Sequence, residues 1–409
     1  MSLEKISYYT LAINKYFMEV IEFLFIMEGP NLGFPTGGEK VTFRLARRLK
    51  ERGFNSGILF INDPSVIIAK WLKDKELQNK YSIPKINKPA LIIRKIISGK
   101  LFINKIKLWR KLRKIHYTVD IEDLEKVKVI FKNQYKKYKI KRAIFVPWQV
   151  YFLAPYVNAE FKYGMVFHSE DHPAYAGIYS KLASSAYTIQ NIKKIVINKY
   201  EYARFGKEKP IKIIEAPLAE EIKNFKLIAP IKERKNTIVL VLRGGKDKGA
   251  KYAIEAARII KEKLPNVQIL SFGNYDGNVP DFINHRGFVD EEDLVKIMNG
   301  SKIVILPSII EGLSMIGIEA MKCGAVLIST YNRGVEEYVI NGKNGLLVKP
   351  KDVKALADAA IKLLKNDKLR TTLAKRGTKV ADKFNEKRKV DMFLNKILEY
   401  EYSISNTHN

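Results

Sequence analysis

The fold class is indicated first by the stretch Leu306-Pro-Ser-Ile-Ile-Glu-Gly-Leu-Ser-Met-Ile-Gly-Ile-Glu-Ala-Met-Lys-Cys-Gly324. An apolar run ends at its start, a loop with Glu311 and Gly312 follows, and the remainder has the spacing of a helix that carries Glu319. A buried strand, a loop and a helix in this order form the repeating unit of α/β proteins with parallel sheets.

The rest of the chain repeats this alternation of short apolar runs and helical patterns. It predicts strands at 21–27, 56–61, 144–146, 163–167, 194–197, 211–215, 237–242, 267–272, 302–306, 325–329 and 345–348. It predicts helices at 39–52, 250–263, 291–298, 315–323, 353–364 and about 386–400. Because 409 residues exceed one ordinary hydrophobic core, we expect two domains. Their boundary should lie in the stretch 216–235, which holds Pro217 and Pro230.

The chain has 73 Lys and Arg against 43 Asp and Glu, a net charge of +30. Such a surface attracts nucleic acid, anionic lipid or phosphorylated substrates, although biased genomic composition or adaptation to heat explains the excess equally well.

The single cysteine, Cys323, allows no internal disulfide, which fits a reducing cytoplasm. The apolar run 20–27 is short and contains Glu22, and no apolar run reaches about 18 residues, so we expect neither a signal peptide nor a transmembrane helix.

Candidate binding groups converge on the loop–helix junction of the opening stretch. Backbone N–H groups of residues 313–316 would carry a partial positive charge that suits a phosphate. Gly312 permits close backbone approach, and Glu311 and Glu319 offer carboxylates to sugar and ribose hydroxyls. An ordinary strand–loop–helix unit with solvated glutamates fits the same residues.

Two loops with glycine pairs supply further candidates. In Val241-Leu-Arg-Gly-Gly-Lys-Asp-Lys-Gly-Ala-Lys251 a strand runs into a loop whose Arg243 and Lys248 could clamp a diphosphate. A basic loop on a basic protein is the alternative. In Phe34-Pro-Thr-Gly-Gly-Glu-Lys40, Gly37 and Gly38 would let backbone approach a phosphate or a sugar, and a plain glycine turn explains the pattern nearly as well.

Two segments of the first half stand apart. Phe167-His-Ser-Glu-Asp-His-Pro173 lacks the ligand spacing of a zinc site, so we interpret it as a polar, acceptor-facing loop with His168. The stretch from Lys80 to Lys114 has twelve basic and no acidic residues among regularly placed apolar ones. It predicts basic amphipathic helices that dock on an anionic membrane. A helix packed on its own domain with a solvated basic face is the alternative.

From Asn236 to Tyr400 the ordered motifs resemble the GT-B retaining glycosyltransferases of family 4, also called glycosyl transferases group 1. The resemblance is carried by Arg243…Lys248-Gly249, Gly287-Phe-Val-Asp-Glu-Glu-Asp-Leu294, Pro307-Ser308…Glu311-Gly312…Glu319-Ala-Met…Gly324 and Asn341-Gly-Lys-Asn-Gly-Leu-Leu-Val348. It is weaker in the first half, through Gly37-Gly38 and His168. Two departures are Ser314, where many members have glycine, and Ile214-Glu-Ala-Pro-Leu218, where many have an asparagine–glycine pair.

This resemblance implies a GT-B fold of two Rossmann-like parallel-sheet domains facing across a cleft. Residues 1–216 would bind the acceptor and residues 217–385 the nucleotide-sugar donor, with a helix at about 386–402 packing back on the first domain. The implied reaction is hexosyl transfer from a nucleotide-diphosphate sugar to a glycan or lipid-linked acceptor with retention, without metal or other cofactor. Such an enzyme would serve glycan or glycolipid biosynthesis in the cytoplasm, or peripherally on the inner face of the cell membrane.

The resemblance also implies a role for each matching residue. Arg243 and Lys248 would neutralise the departing diphosphate, Glu319 would hold the ribose, and Glu311 would contact the donor sugar. The catalytic candidates are His168, near the reacting carbon or the acceptor, and Glu311. The donor-binding candidates are Gly37, Gly38, Arg243, Lys248, Val289, Glu311, Gly312, Leu313, Ser314, Met315, Ile316 and Glu319.

Other functions stay open from the sequence. Another GT-B activity, such as a phosphorylase or an epimerase, would release free sugar phosphate or need no acceptor. A basic nucleic-acid-binding protein would explain the charge, but the basic run holds one Trp and no recognisable RNA or DNA module, so we do not expect nucleic acid as a partner. A degenerate fold kept as a partner subunit would have no need of Arg243, Lys248, Glu311 and Glu319 together.

Overall fold

The computed structural model describes residues 19–28, 37–61, 128–130, 137–167, 178–213, 224–384 and 386–406. In these ranges the chain forms thirteen strands, arranged in two sheets, and nine α-helices. It divides into two compact units, residues 1–166 with 177–195 and residues 167–176 with 196–409.

The first sheet has seven strands, β1 (Val20–Glu28), β2 (Ser56–Ile61), β3 (Lys128–Ile130), β4 (Lys139–Val146), β5 (Ala159–Val166), β6 (Lys193–Val196) and β7 (Ile211–Lys212). Their order is β3-β2-β1-β4-β5-β6-β7. The pairs β1–β2, β2–β3, β1–β4 and β4–β5 are parallel. The apolar run Phe23 to Met27 of β1 is buried, as expected for a central strand that is covered on both faces.

The second sheet has six strands, β8 (Thr237–Val241), β9 (Gln268–Phe272), β10 (Asn284–His285), β11 (Ile303–Leu306), β12 (Val326–Thr330) and β13 (Leu346–Val348). Their order is β10-β9-β8-β11-β12-β13, and each neighbouring pair is parallel. Every residue of β8, β11 and β12 is buried, so these strands form the middle of the core of this sheet.

The helices are α1 (Gly37–Glu51), α2 (Ile178–Tyr187), α3 (Lys199–Arg204), α4 (Ala250–Lys263), α5 (Glu291–Gly300), α6 (Met315–Lys322), α7 (Val353–Lys365), α8 (Asp367–Ala381) and α9 (Glu386–Ser405). Helices α4 and α7 pack against each other. Small buried residues of both helices, such as Ala253, Ala257, Ala357 and Ala360, belong to the core cluster that includes Leu240 of β8. Their size lets the helices lie close to the sheet, because little side-chain volume separates the two layers.

The predicted α/β class with parallel sheets is confirmed, and most predicted elements lie within a few residues of the observed ones. Strand β4 begins at Lys139 rather than at residue 144. The search for apolar runs missed its first half, because that half is polar and alternates between exposed and buried positions. The predictions omitted two short strands, β3 and β10, and the helices α2, α3 and α8.

Helix α8 shows why a helix can escape a pattern search. Its sequence is rich in Lys, Arg and Thr, and Leu373 and Ala374 belong to a narrow buried face. Asn366 caps its N-terminus, with its side-chain oxygen accepting a hydrogen bond from the Leu369 N–H at 2.9 Å. An asparagine just before an acidic first turn is the signal that would have found this helix.

Several predictions concern residues outside the described ranges. The boundary between residues 216 and 217 falls within 214–223, and His168 and the basic stretch Lys80–Lys114 also lie outside. Helix α9 contacts β7. The domain boundary and the packing of the last helix on the first domain stay predictions.

Candidate functional site

The order of strands in the second sheet reverses between β8 and β11. From β8 the chain continues outward to β9 and β10, whereas β11, β12 and β13 lie on the other side. In open α/β sheets, ligands bind at such a switch point, outside the carboxyl ends of the strands, because the following loops diverge there. The loops that carry Arg243 and Glu311 begin at this point.

These two loops are fixed against each other by backbone contacts. The Ile309 N–H donates to the Asp247 carbonyl oxygen at 2.7 Å. Gly249 has a φ of +69°, and a Cβ at this position would overlap the carbonyl oxygen of Pro307. Glycine is therefore required here both by the backbone conformation and by the close approach.

Glu311 lies between two cations supplied by the other loop. One nitrogen of the Arg243 guanidinium donates both to Oε1 of Glu311 and to the Ser308 hydroxyl, the latter at 3.1 Å. Lys248 Nζ is 3.5 Å from Oε2 of Glu311 and 3.0 Å from Oδ2 of Asp247. The side chain of Glu311 is 8% exposed, against 28% for Arg243 and 21% for Lys248, so the cations are more accessible than the carboxylate they share.

The ionisation of Glu311 is set by these neighbours. Burial alone opposes its charge, but the charges of Arg243 and Lys248 and the hydrogen bonds from Ser308 and Arg243 outweigh burial and lower the pKa of Glu311 to about 2. The side chain is therefore a carboxylate at neutral pH and can act only as a hydrogen-bond acceptor.

The backbone of Glu311 is held by the loop that follows β12. The Glu311 N–H donates to the Asn332 carbonyl oxygen at 2.8 Å, and Glu311 forms an isolated parallel β-bridge with Arg333. A Cβ on Gly334 would lie 2.9 Å from both the Glu311 Cβ and the Leu313 nitrogen. The two loops therefore run side by side in close contact.

Helix α6 begins directly after this loop. Ser314 precedes it with a φ of +65°, makes no side-chain capping bond, and is followed by a first turn without acidic residues. Its hydroxyl has no hydrogen-bond partner among the described residues, and its carbonyl oxygen accepts from the Tyr338 hydroxyl at 2.8 Å. The first N–H groups of a helix have no intrahelical acceptor and carry a partial positive charge, so this end of α6 favours an anion.

Glu319 lies on α6 and is 6% exposed. The Cys323 N–H donates to the Glu319 carbonyl oxygen at 3.1 Å. Burial and then the charge of Glu319 raise the pKa of the Cys323 thiol to about 12. A thiol with such a pKa stays protonated and unreactive at neutral pH.

For the remaining predicted site residues, the structure gives their position in the fold. Val289 is half-buried in the loop between β10 and α5. Two residues before it, the Gly287 carbonyl oxygen accepts from the Gly273 N–H at 2.8 Å. Gly37 and Gly38 begin helix α1 in the first unit. The structure thus brings Arg243, Lys248 and Glu311 into one cluster, with Gly312, Leu313, Ser314, Met315 and Ile316 continuing from Glu311 into α6.

Sequence reasoning missed several partners of Glu311. Ser308 and Asn332 are completely buried, one bonded to Arg243 and the other holding the Glu311 backbone. The available signal for both was a polar residue two positions after the end of a buried strand, since such residues lie at the same edge of a parallel sheet. Arg333 is harder to recognise from the sequence. Its bridge to Glu311 depends on a φ of +71°, which an arginine does not suggest.

Within the described part of the chain, no group of three or more His, Cys, Asp and Glu side chains is placed to hold a metal ion. No described helix is long and apolar enough to cross a membrane. The expectation of a reaction without metal stays a prediction.

Residues 221–380 match the family model described as Glycosyl transferases group 1. The chain therefore carries a domain of this family, which includes the whole Arg243–Glu311 cluster.

Curated relatives match mainly over the same half. The chain is 30% identical over 162 residues to the N,N'-diacetylbacillosaminyl-diphospho-undecaprenol alpha-1,3-N-acetylgalactosaminyltransferase of Campylobacter jejuni, covering 38% of this chain and 42% of that protein. It is 30% identical over 151 residues to the capsular polysaccharide biosynthesis glycosyltransferase CapM of Staphylococcus aureus, covering 34% and 40%. The chain thus matches about two fifths of the length of these two relatives. An uncharacterized glycosyltransferase of Methanocaldococcus jannaschii is 28% identical over 271 residues, 58% of this chain and 68% of the relative.

Solved structures match over nearly the whole chain. Sucrose-phosphate synthase from Thermosynechococcus elongatus has a TM-score of 0.61 at 17% identity and covers 94% of this chain and 100% of its own. Anabaena HepE in complex with UDP-glucose has a TM-score of 0.61 at 12% identity and covers 92% and 99%. At these identities the likeness shows the fold, two parallel-sheet α/β domains as in GT-B glycosyltransferases.

Proposed function

We propose that this protein is a retaining, family 4 glycosyltransferase that moves a sugar from a nucleotide-diphosphate sugar to a glycan or lipid-linked acceptor. Its group 1 domain supports the reaction class. Relatives named for capsular polysaccharide biosynthesis and for an undecaprenol-linked substrate support a role in polysaccharide or glycolipid biosynthesis. The HepE complex with UDP-glucose supports a nucleotide sugar as donor.

The observation that carries this proposal is the placement of Arg243 and Lys248 around Glu311, at the switch point and beside the start of α6. A leaving diphosphate needs positive charge that is already in place. Arginine binds phosphate oxygens in a bidentate manner, lysine adds a compact charge, and the N–H groups of α6 add a partial one. Fixed positive groups of this kind stabilise the charge that develops on the leaving group.

Glu311 would exchange partners when a donor binds. Its carboxylate accepts from Arg243 and lies near Lys248, and a diphosphate would compete for the same cations. Because its pKa is about 2, Glu311 stays ionised and can then accept hydrogen bonds from the hydroxyls of the donor sugar. Glu319 would accept from the ribose hydroxyls, and the segment with Val289 would lie beside the base.

His168, Gly37 and Gly38 are candidates from the sequence alone. In the proposed reaction His168 would act near the reacting carbon or the acceptor, and the glycine pair would allow close approach to the donor. Alanine at His168 should reduce transfer while leaving the affinity for the bare nucleotide unchanged.

We further propose that neither metal nor another cofactor takes part, because Arg243, Lys248 and the start of α6 supply the positive charge that a metal supplies elsewhere. Turnover should persist in EDTA. Complete loss of activity that magnesium or manganese restores would contradict this part of the proposal.

The test of the proposed function is a screen of sugar nucleotides with the wild-type protein, following donor consumption and the released product. We expect release of a nucleoside diphosphate from at least one donor. An epimerised donor would indicate an epimerase instead, and sugar 1-phosphate formed from a glycan and inorganic phosphate, with no sugar nucleotide consumed, would indicate a phosphorylase. Salt-sensitive binding of nucleic acid without consumption of any donor would indicate a nucleic-acid-binding protein.

The cellular location is a separate proposal. We place the protein in the cytoplasm, peripherally on the inner face of the cell membrane through the basic stretch Lys80–Lys114, because such composition suits an anionic surface. Co-sedimentation with anionic vesicles should fall with salt and with charge reversal of Lys105, Lys107, Arg110 and Lys111. Absence of binding at low salt would contradict the membrane proposal alone.

A further inference from the structure

The loop that carries Glu311 and the loop that follows β12 are both tied to the start of helix α3 by hydrogen bonds. All of the residues concerned belong to the second unit. The ties are polar, and the proposed reaction assigns none of these residues a part in its chemistry. We call them the α3 clamp, which consists of Asn198, Lys199, Tyr200 and Glu201 with Arg333, Glu336 and Glu337.

Asn198 uses both ends of its side-chain amide. It is completely buried, its Oδ1 accepts from the Glu201 N–H at 2.9 Å and caps α3, and its Nδ2 donates to the Gly312 carbonyl oxygen at 3.1 Å. These partners define the orientation of the amide, because an N–H can only donate and a carbonyl oxygen can only accept. An aspartate of the same shape could still cap α3, but it would turn a carboxylate oxygen toward the Gly312 carbonyl.

Two consecutive glutamates fasten the loop after β12 to the same helix. Glu337 Oε1 accepts from the Lys199 N–H at 2.7 Å, where the partial positive charge of the helix start favours a carboxylate. Glu336 accepts from the Tyr200 hydroxyl through Oε1 and from the Arg333 N–H through Oε2, the latter at 2.7 Å. Burial, followed by the hydrogen bond and the charge of Glu336, raises the pKa of Tyr200 to about 12, so the tyrosine stays a donor.

Arg333 connects this clamp to the backbone of Glu311. Its backbone forms the β-bridge with Glu311, while its guanidinium is 3.7 Å from Oε1 of the buried Glu201 and 5.7 Å from the centre of the Tyr200 ring. Its φ of +71° is one that a residue with a side chain keeps only where its surroundings hold it. The Arg333 guanidinium contacts α3, and the Arg333 N–H donates to Glu336. These contacts stabilise the positive φ.

We propose that Asn198 and Glu201 are positioning residues for Glu311. Asn198 acts through the carbonyl of Gly312 on one side of Glu311, and Glu201 acts through Arg333 on the neighbouring loop. Together they restrict the backbone of Glu311 to one placement, from which its carboxylate meets the donor sugar. This inference rests on the proposed function for its catalytic consequence, but the restriction of the loop can be measured without any substrate.

The mechanism predicts a split between binding and turnover. The clamp acts on the backbone that carries Glu311, whereas the diphosphate would be bound mainly by the side chains of Arg243 and Lys248, which lie on a different loop, with only a partial charge from the start of α6. Loosening the clamp should therefore lower kcat and leave the affinity for a bare nucleoside diphosphate nearly unchanged. A misplacement of about 1 Å is enough for a loss on the order of 100-fold in rate.

The experiment compares Asn198→Asp and Glu201→Gln with the wild type, and uses Lys207→Gln as the matched control because Lys207 is exposed on the turn after α3. The measurements are kcat for donor consumption, Kd for UDP, GDP and ADP by calorimetry, the melting temperature, and hydrogen exchange of residues 308–316. We expect kcat to fall at least ~10-fold in both variants, the Kd values to change less than about 3-fold, and exchange at 308–316 to become faster. Arg333→Lys should retain more activity than Arg333→Gln, since it keeps the charge that faces Glu201.

Unchanged kcat and unchanged exchange in Asn198→Asp and Glu201→Gln would overturn the proposal. A parallel fall of kcat, nucleotide affinity and melting temperature would also overturn it, because it would show a role in folding alone. Failure of the proposed function is distinguishable, since the wild type would then consume no sugar nucleotide. In that case the exchange of residues 308–316 in Asn198→Asp still decides whether the clamp restricts the loop.

Discussion

Two arginines of the second unit, Arg234 and Arg243, differ in the kind of partner they have. The guanidinium of Arg234 donates to four backbone carbonyl oxygens at 2.5–3.3 Å, those of Ala229, Met298, Ser301 and Cys323. Arg243 donates to the side chains of Ser308 and Glu311. A backbone carbonyl stays in place while the protein is folded, whereas a side-chain carboxylate can turn away, so only Arg243 can pass its hydrogen bonds to a ligand.

The exposure of the two arginine side chains fits this difference in partners. Arg234 is 7% exposed, and its burial, together with the charge of Arg370, lowers its pKa to about 10 although Cys323 acts in the opposite direction. It is still charged at neutral pH, and its bonds join the segment before β8 to the ends of α5 and α6. The side chain of Arg243 is 28% exposed and can be reached from solvent. Arg234 therefore stabilises the unit, and Arg243 belongs to the binding site.

The largest expected effect is on stability. Arg234→Ala removes the donor to four carbonyl oxygens, three of them in buried hydrogen bonds, and we expect it to lower the free energy of unfolding by about 3–5 kcal/mol. Denaturant unfolding measures this, with Arg376→Ala, an exposed arginine of α8, as the control. Nucleotide affinity of the folded fraction should stay unchanged. A loss of stability below about 1 kcal/mol would mean that the two arginines do not differ as described.

The second effect is on binding. Arg243→Ala should weaken the binding of a bare nucleoside diphosphate by about 1.5–3 kcal/mol, since one charge-assisted contact to phosphate is lost. Lys246→Ala is the matched control, because Lys246 lies in the same loop and is exposed. Calorimetry measures both variants. Equal losses in the two would show that only the net charge of the loop matters.

The third effect is on acid stability. The pKa of Glu311 is lowered from 4.5 to about 2 in the folded protein, so its ionisation stabilises the fold above pH 4.5 and this contribution disappears as the pH falls toward 2. The stability advantage of the wild type over Glu311→Gln should therefore be constant above about pH 6 and shrink by about 2 kcal/mol on going to pH 3. Denaturant unfolding at several pH values measures the difference. An advantage that grows on acidification would contradict the ion pairs with Arg243 and Lys248.

The smallest expected effect is an increase in nucleotide affinity, in the opposite direction to the effect of Arg243→Ala. Glu311→Gln removes the carboxylate that competes for Arg243 and Lys248, so a bare nucleoside diphosphate should bind a few-fold more tightly, a gain of about 1 kcal/mol or less. Transfer should fall, because the acceptor for the sugar hydroxyls is weakened. The matched change Asp247→Asn removes a carboxylate that contacts Lys248 and should have a smaller effect, because it leaves the bond between Arg243 and Glu311 in place. Weaker nucleotide binding in Glu311→Gln would mean that Glu311 supports the diphosphate site rather than competing with it.

The sequence was sufficient for the part of the site that is local in the chain. Arg243, Lys248, Glu311 and the start of α6 each follow a buried strand or a glycine loop, and parallel strands bring such loops to one edge. The fold class followed from the same strand–loop–helix pattern.

Contacts between distant segments could not be predicted in this way. The bond from Asn198 to Gly312 joins residues 114 positions apart, and the bridge between Glu311 and Arg333 depends on a positive φ at an arginine. No local pattern marks either of them. The conformation of Ser314 is a similar case, because its φ of +65° explains why glycine suits this position in many resembling sequences, whereas the serine itself gives no sign of it.

The central claim is that the cations which hold Glu311 are those that bind the donor's diphosphate. A double-mutant cycle tests it most directly, with the Kd of UDP, GDP and ADP measured by calorimetry for the wild type, Arg243→Ala, Glu311→Gln and the double variant. The account predicts that Glu311→Gln tightens binding in the presence of Arg243 and has a clearly smaller effect in its absence, so that the two changes are not additive. Additive effects, or wild-type affinity in Arg243→Ala, would contradict it.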